Sequence, residues 1–280
     1  MNIFIKTNFE KSQAEKYTNQ VIDIMLEQGN TCFMEQKDKK LFDSPKVCYD
    51  KTSTILKKID LIIVLGGDGT ILQTVKFAIK SDKPILGINI GRVGFLCQIE
   101  KDELHKLELL RNSKLEYHER MLVEATHVTE KGEKKYIALN DFVFSKGILS
   151  RMVEIDIKCM GSMIETYRAD GIIFSTPSGS TAYGMSAGGP IISPVVKTVL
   201  VTPICPYSRF QTPICFGANE EIEVWSKEND IKMVVDGVIS VSIGDNDHVL
   251  IKGHDKCVKF LKLDDSNFYS HLWNKLRKRG

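Results

Sequence analysis

Residues Leu61–Thr70 read LIIVLGGDGT, an apolar run that passes directly into two glycines, an aspartate, a third glycine and a threonine. An uninterrupted apolar run of this kind suits a strand buried on both faces. The glycines after it allow a backbone turn that side chains would obstruct. Ile71, Leu72, Val75, Ala78 and Ile79 then recur at helical spacing, which predicts a helix starting near Thr70. Amide groups at such a helix start attract phosphate, and Gly67 and Gly69 let a phosphate approach closely. Asp68 is the exception, because a carboxylate beside a phosphate repels it unless it holds a metal ion or takes a proton. The plain alternative is a strand-to-helix turn with Asp68 as its N-cap.

The neighbouring segments extend this pattern. Asn2–Ile5 reads as a first strand, and Ala14, Tyr17, Val21, Ile24 and Met25 form a helical stripe that closes at Gly29. Ile85–Ile90 is another apolar strand, and 102–112 reads as a short helix. Strands alternating with helices imply a parallel sheet covered on both faces. From about Leu115 the pattern changes: YIALNDFVF, RMVEIDIKCM, IEVWSK, IKMVV and HVLIKG alternate between turn signals, which predicts a mostly antiparallel β domain. Phe268, Leu272 and Leu276 restore helical spacing at the end of the chain.

Composition narrows the classes. With 42% hydrophobic and 26% charged residues in a chain of 280, a sizeable core is expected. A net charge of +2 gives no reason to expect a nucleic-acid partner. The seven cysteines form no C-x-x-C pair, so reduced thiols are expected rather than disulfides or zinc, and the six histidines show no ligand spacing. No signal-like leader opens the chain, and the uncharged stretch from Gly171 to Val196 holds too many Gly, Pro, Ser and Thr residues to cross a membrane. A cytoplasmic location with no membrane partner is the expectation.

A second informative segment is YRADGIIFSTPSGSTAYGMSAGGP, Tyr167–Pro190. Its clustered hydroxyls and amides suit a polar neutral ligand such as a sugar or nucleotide; a Ser/Gly-rich surface loop is the alternative. Asp170 could accept from a ribose or an exocyclic amine, and Tyr183 could stack on a base. Asn140 and Asp141 interrupt an apolar strand as a site or as a strand-end turn. Asp236-Gly237 reads as a hairpin turn rather than a site. No P-loop, G-x-G-x-x-G or G-x-S-x-G motif is present.

GGDGT at Gly66–Thr70, GINIGRVGFL at Gly87–Leu96, LND at Leu139–Asp141, DGIIFSTPSGSTAYGMSAGGP at Asp170–Pro190 and the aromatic-leucine terminal helix stand in the order of the bacterial NAD kinase family, which the chain resembles over most of its length. GGDGT also occurs in lipid kinases and phosphofructokinases; the long serine-rich segment is the specific part. The resemblance implies an α/β domain over 1–100, a sandwich-like β domain over 101–265 and a C-terminal helix over 266–280 that packs back on the first. It implies phosphoryl transfer from ATP or polyphosphate, with Mg²⁺, to the adenosine 2′-hydroxyl of NAD, and a homo-oligomer (dimer or tetramer).

By matching position, Asp68 is the base, Gly69 faces the phosphates, and no residue is a dedicated metal ligand. Asn140, Asp141, Arg151, Arg168, Asp170, Thr181, Ala182, Tyr183, Gly184, Met185, Ser186 and Cys205 fall at substrate positions. Asp141 stands where many relatives have glutamate. Tyr207 and Thr212 replace a usual histidine and arginine, and Val238 a frequent glutamine. Two other readings are a lipid or sugar kinase sharing only GGDGT, and a non-catalytic NADP sensor; intact Asp68 argues against the sensor.

Overall fold

The apolar runs of the N-terminal half become neighbouring parallel strands. The computed structural model describes residues 1–91, 94–111, 116–147, 152–207, 210–228, 230–263 and 268–277. They divide into two units, 1–119 with 258–280, and 120–257. Beside the expected boundaries at 100 and 265, the chain changes unit at 119/120 and again at 257/258.

In the first unit β1 (Asn2–Thr7), β2 (Thr31–Glu35), β3 (Cys48–Asp50), β4 (Leu61–Gly66) and β5 (Ile85–Asn89) lie in the order β5-β4-β1-β2-β3. All these pairings are parallel, with the short β6 (Ile99–Glu100) beside β5. Every residue of β4 and β5 is buried, which explains their uninterrupted apolar composition. The helix α1 (Ala14–Glu27) buries Val21, Ile22 and Met25 and is followed by Gly29 at φ +75°. After α2 (Thr52–Lys58), α3 (Asp68–Ser81) buries Ile71, Thr74, Val75 and Ala78. The short helix expected over 102–112 is a 3₁₀ segment, Leu104–Arg111. Its buried Leu104, Leu107 and Leu110 recur every third residue, the period of a 3₁₀ helix.

The second unit is a two-layer β structure. Its strands are β7 (Glu116–Thr129), β8 (Gly132–Ala138), β9 (Asp141–Lys146), β10 (Val153–Cys159), β11 (Ser162–Ala169), β12 (Gly171–Ser175), β13 (Thr198–Ile204), β14 (Ile214–Gly217), β15 (Ile222–Trp225), β16 (Ile231–Val235), β17 (Ile239–Ile243) and β18 (His248–Lys262). One layer runs β11-β10-β15-β18, and the other β14-β13-β12-β9-β16-β17. Both are antiparallel within this unit. Ile155, Val224 and Ile251 from the first layer share one core with Phe144, Phe174, Val201 and Met233 from the second. That shared core matches the sandwich-like domain implied by the family resemblance, and the antiparallel pairing matches the alternating runs. A single helical turn, α4 (Tyr183–Ser186), lies between β12 and β13.

Strand β18 continues into the first unit, where Phe260 pairs in parallel with Ile85 of β5. The last helix, α5 (Phe268–Arg277), also belongs to the first unit and buries Leu272 and Lys275. No helix among the described residues is long and apolar enough to cross a membrane.

Candidate functional site

In the first unit the turn after β4 is built around Asp68. Gly67 is the N-cap of α3 and is extended, at φ −136°, so Asp68 is the first helical residue and not the cap. Its carboxylate reaches out of the helix instead. Oδ2 accepts the Phe95 amide at 2.7 Å and Oδ1 the Leu96 amide at 2.9 Å. Glycine is needed at position 94 by close approach, since a Cβ there would lie 2.8 Å from Asp68 Cγ. Gly67 and Gly69 differ from Gly94. Beyond the adjoining backbone, nothing among the described residues lies within 4 Å of the Cβ either would carry, and neither has the positive φ that demands glycine. The missing side chains therefore leave room at a helix N-terminus, where amides face outward and an anion is favoured.

The second unit carries a cavity of about 550 Å³. It is lined by Asn140, Asp141, Val143, Ser145, Asp170, Ala182, Tyr183, Ile204, Val234, Asp236 and Gly237. Strand alternation places several of these. Phe142 and Phe144 of β9 enter the core, so Asp141, Val143 and Ser145 share the other face. Val234, paired with Val143 across β16, adds to that face.

Asp236-Gly237 is the expected hairpin turn, with φ +48° and +67°. The turn also holds the cavity wall, contrary to the reading of it as a turn alone. The Asp236 carboxylate accepts the amides of Leu139 (2.9 Å), Asn140 (2.7 Å) and Asp141 (3.1 Å). Its own amide returns a 2.9 Å bond to the Asp141 carbonyl. On the opposite side Thr176 donates its amide to the Asn140 carbonyl (2.9 Å) and its hydroxyl to the Leu139 carbonyl (2.5 Å). Gly179 lies so close to Asn140 that a Cβ would sit 2.9 Å from the Asn140 Cα. Held from both sides, Asn140 is buried, and its Oδ1 has no hydrogen-bond partner among the described residues. A buried orphan acceptor on a cavity wall is where a ligand donor fits.

Three hydroxyls of the serine-rich segment bond within the protein, while the buried Ser175 hydroxyl has no partner among the described residues. Thr176, Ser180 and Thr181 are buried and donate to the carbonyls of Leu139, Pro177 and Ser178. They build the loop rather than line the cavity; 171–181 is buried, whereas Tyr183, Ser186, Gly188 and Pro190 are exposed. The residues of this segment that line the cavity are Asp170, Ala182 and Tyr183.

Of the other residues singled out in the sequence, Asn140, Asp141 and Asp170 line the cavity, whereas Arg168, Thr181, Gly184, Met185, Ser186 and Cys205 are outside its lining. Arg168 instead places its guanidinium 5.7 Å from the ring centre of Tyr207. Cys205 is exposed at φ +45°. Gly69 belongs to the first unit, and Arg151 lies outside the described residues. Val143, Ser145, Ile204 and Val234 were not picked out from the sequence, and Asp236-Gly237 was read there as a turn rather than a site. A two-residue period counted from Asp141 identifies Val143 and Ser145; nothing local identifies Asp236.

Burial pushes the Asp141 carboxyl up to about 7, and the nearby Asp236 carboxylate pushes the same way. Asp236 is also raised, by burial, against the lowering effect of its three amide partners. The unfolded Asp141 titrates near ~3.9. Between that value and about 7 the folded chain keeps a proton that the unfolded chain has lost. Asp141 therefore favours the ligand-free fold at low pH and loses that contribution as pH rises through about 7. Thermal melting of ligand-free protein from pH 4 to 8 checks this. Asp141→Asn should remove part of the decline, and superimposable profiles would refute it.

Comparison with known proteins places these features. The profile of the ATP-NAD kinase N-terminal domain matches residues 3–111, and that of the ATP-NAD kinase C-terminal domain matches 139–263. The chain is 33% identical to the NAD kinase of Caldanaerobacter subterraneus subsp. tengcongensis, over 97% of each chain. It is 35% identical to that of Clostridium beijerinckii, over 98% of this chain and 95% of the relative. Among solved structures, yeast NADH kinase complexed with NADH aligns with a TM-score of 0.86 at 22% identity, over 99% of this chain and 86% of that one. An NAD kinase from Archaeoglobus fulgidus in complex with ATP aligns at 0.78 and 23%, over the whole of both chains. The structural likeness establishes the common fold, and the sequence identity sustained along nearly the full length makes this chain a member of the NAD kinase family.

Proposed function

We propose that the protein phosphorylates the adenosine 2′-hydroxyl of NAD to give NADP, using ATP or polyphosphate. A bond forms between the 2′-oxygen and the donor's terminal phosphorus while the bond from that phosphorus to its bridging oxygen breaks. The hydroxyl proton passes to Asp68. The observation that carries this reading is the Asp68 carboxylate, fixed by two amides beside glycines that leave space at a helix start. A secondary hydroxyl is a weak nucleophile, and a placed base contributes roughly 10²–10⁴-fold. In the second unit, the Asn140 acceptor and the Asp141–Asp236 pair suit the amine and hydroxyl donors of a nucleotide.

Magnesium would be held here mainly by the donor's phosphate oxygens. Asp68 offers one carboxylate, and no three His, Cys, Asp or Glu side chains cluster as a cage among the described residues. A cation held there would neutralise phosphate charge. A cytoplasmic dimer or tetramer completes the proposal, tested by light scattering of the purified protein.

Purified protein given NAD, magnesium and each donor in turn is expected to make NADP, and chelation to stop it. Phosphorylation of diacylglycerol without NADP formation, or tight NADP binding without turnover, would overturn the reading.

A further inference from the structure

Helix α5 contributes a buried cation to the first unit. Lys275 is 4% exposed, one helical turn from the equally buried Leu272. A buried ammonium is costly unless polar partners surround it. Lys275 Nζ donates to the Gly94 carbonyl and, at 2.8 Å, to the Cys97 carbonyl. Gly94 C=O and Phe95 N–H belong to one peptide group. That same N–H donates to Asp68 Oδ2 at 2.7 Å.

An ammonium, one peptide group and a carboxylate thus stand in a single hydrogen-bonded chain. Each bond in such a chain polarises and strengthens the next. The buried Cys97 thiol senses both charges: burial pushes it up, the Asp68 carboxylate adds to that, and Lys275 opposes it.

We propose that Lys275 is a positioning residue for Asp68: by holding the Gly94–Phe95 peptide group it fixes the amide that aims the carboxylate. The proposal rests on the reading of Asp68 as the base. Its chemistry differs from that of a simple helix anchor, because the ammonium acts on the orientation of the carboxylate through the peptide group bonded to both. A carboxylate displaced by about an ångström from its reacting geometry can cost on the order of 10² in rate while leaving substrate affinity in place.

The test compares Lys275→Met, Lys275→Arg and Leu272→Ala. Lys275→Met keeps an apolar stem of similar length and removes the charge. It should lower kcat by roughly 10-fold or more, with KM for NAD changed by less than about 3-fold. Arginine should restore most of kcat. Leu272→Ala loosens the same helix without touching the ammonium, so it should lower Tm and leave kcat near that of the unmodified enzyme. In an Asp68→Asn background, Lys275→Met should add less than about 2-fold, since both changes act through one carboxylate.

Hydrogen exchange at the Phe95 and Leu96 amides, followed by NMR without substrate, gives a readout independent of turnover. Both amides should exchange faster in Lys275→Met, as in Asp68→Asn. If Lys275→Met is insoluble, Lys275→Gln takes its place. Unchanged kcat and exchange in the folded variant, or an equal kcat loss in Leu272→Ala, would overturn the proposal. An unmodified enzyme that makes no NADP would instead overturn the reading of Asp68.

Discussion

Asp68→Asn should lower kcat by roughly 10²-fold or more, the largest effect on turnover expected of any single change in this chain. The substitution removes the basicity that would take the 2′-hydroxyl proton. It also disturbs the turn, because the two carboxylate oxygens accept two different amides, Phe95 and Leu96. An asparagine offers one acceptor and turns its NH₂ toward the other amide, which then has no partner. Leaving one buried donor unsatisfied costs about 1–3 kcal/mol. For a chain of this size that lowers Tm by roughly 2–4 °C per kcal/mol, so the variant should fold. Steady-state kinetics and a melting curve check both parts. Near-normal turnover with an unchanged melt would reduce Asp68 to a loop anchor.

The largest effect on stability is expected from Asp236→Ala. One carboxylate accepts three consecutive amides, Leu139, Asn140 and Asp141, and these anchor the wall of the second unit's cavity. Alanine orphans all three. At about 1–3 kcal/mol for each buried donor, partly offset by water entering the cavity, the loss should reach roughly 3 kcal/mol or more. NAD affinity should fall with it, since Asn140 and Asp141 would no longer be held in place. The exposed neighbour Val238 supplies the control, and Val238→Ala should change neither quantity. Calorimetry and an NAD titration are decisive, and matching melts for the two variants would remove Asp236 from this role.

Much of the chain is legible before folding. The buried strand β4 and the amphipathic α3 follow from composition and period alone, because a strand covered on both faces must be apolar throughout and a helix buries one stripe. The antiparallel β strands of the second half follow from alternation for the same reason, with Phe142 and Phe144 turned to the core. Locally similar signals were less legible. The hydroxyls of the serine-rich segment read as ligand groups, yet Thr176, Ser180 and Thr181 satisfy carbonyls of their own loop and of Leu139. Sequence cannot separate these cases, since a hydroxyl is equally suited to a ligand and to a carbonyl.

The sequence by itself determined the two kinds of half-chain, the glycine-bordered carboxylate at Asp68 and the likeness to one family, because each is read from runs and motifs that are contiguous in the chain, in the last case from several of them in order. Only the tertiary structure decided what holds those residues. Asp68 is fixed by the amides of Phe95 and Leu96, these lie beside Lys275, and Leu139 to Asp141 are fixed by a turn near residue 236. Such contacts join backbone groups to side chains far along the chain. A backbone amide is the same at every position, so it leaves no trace in composition or period, and only folding shows which carboxylate it meets.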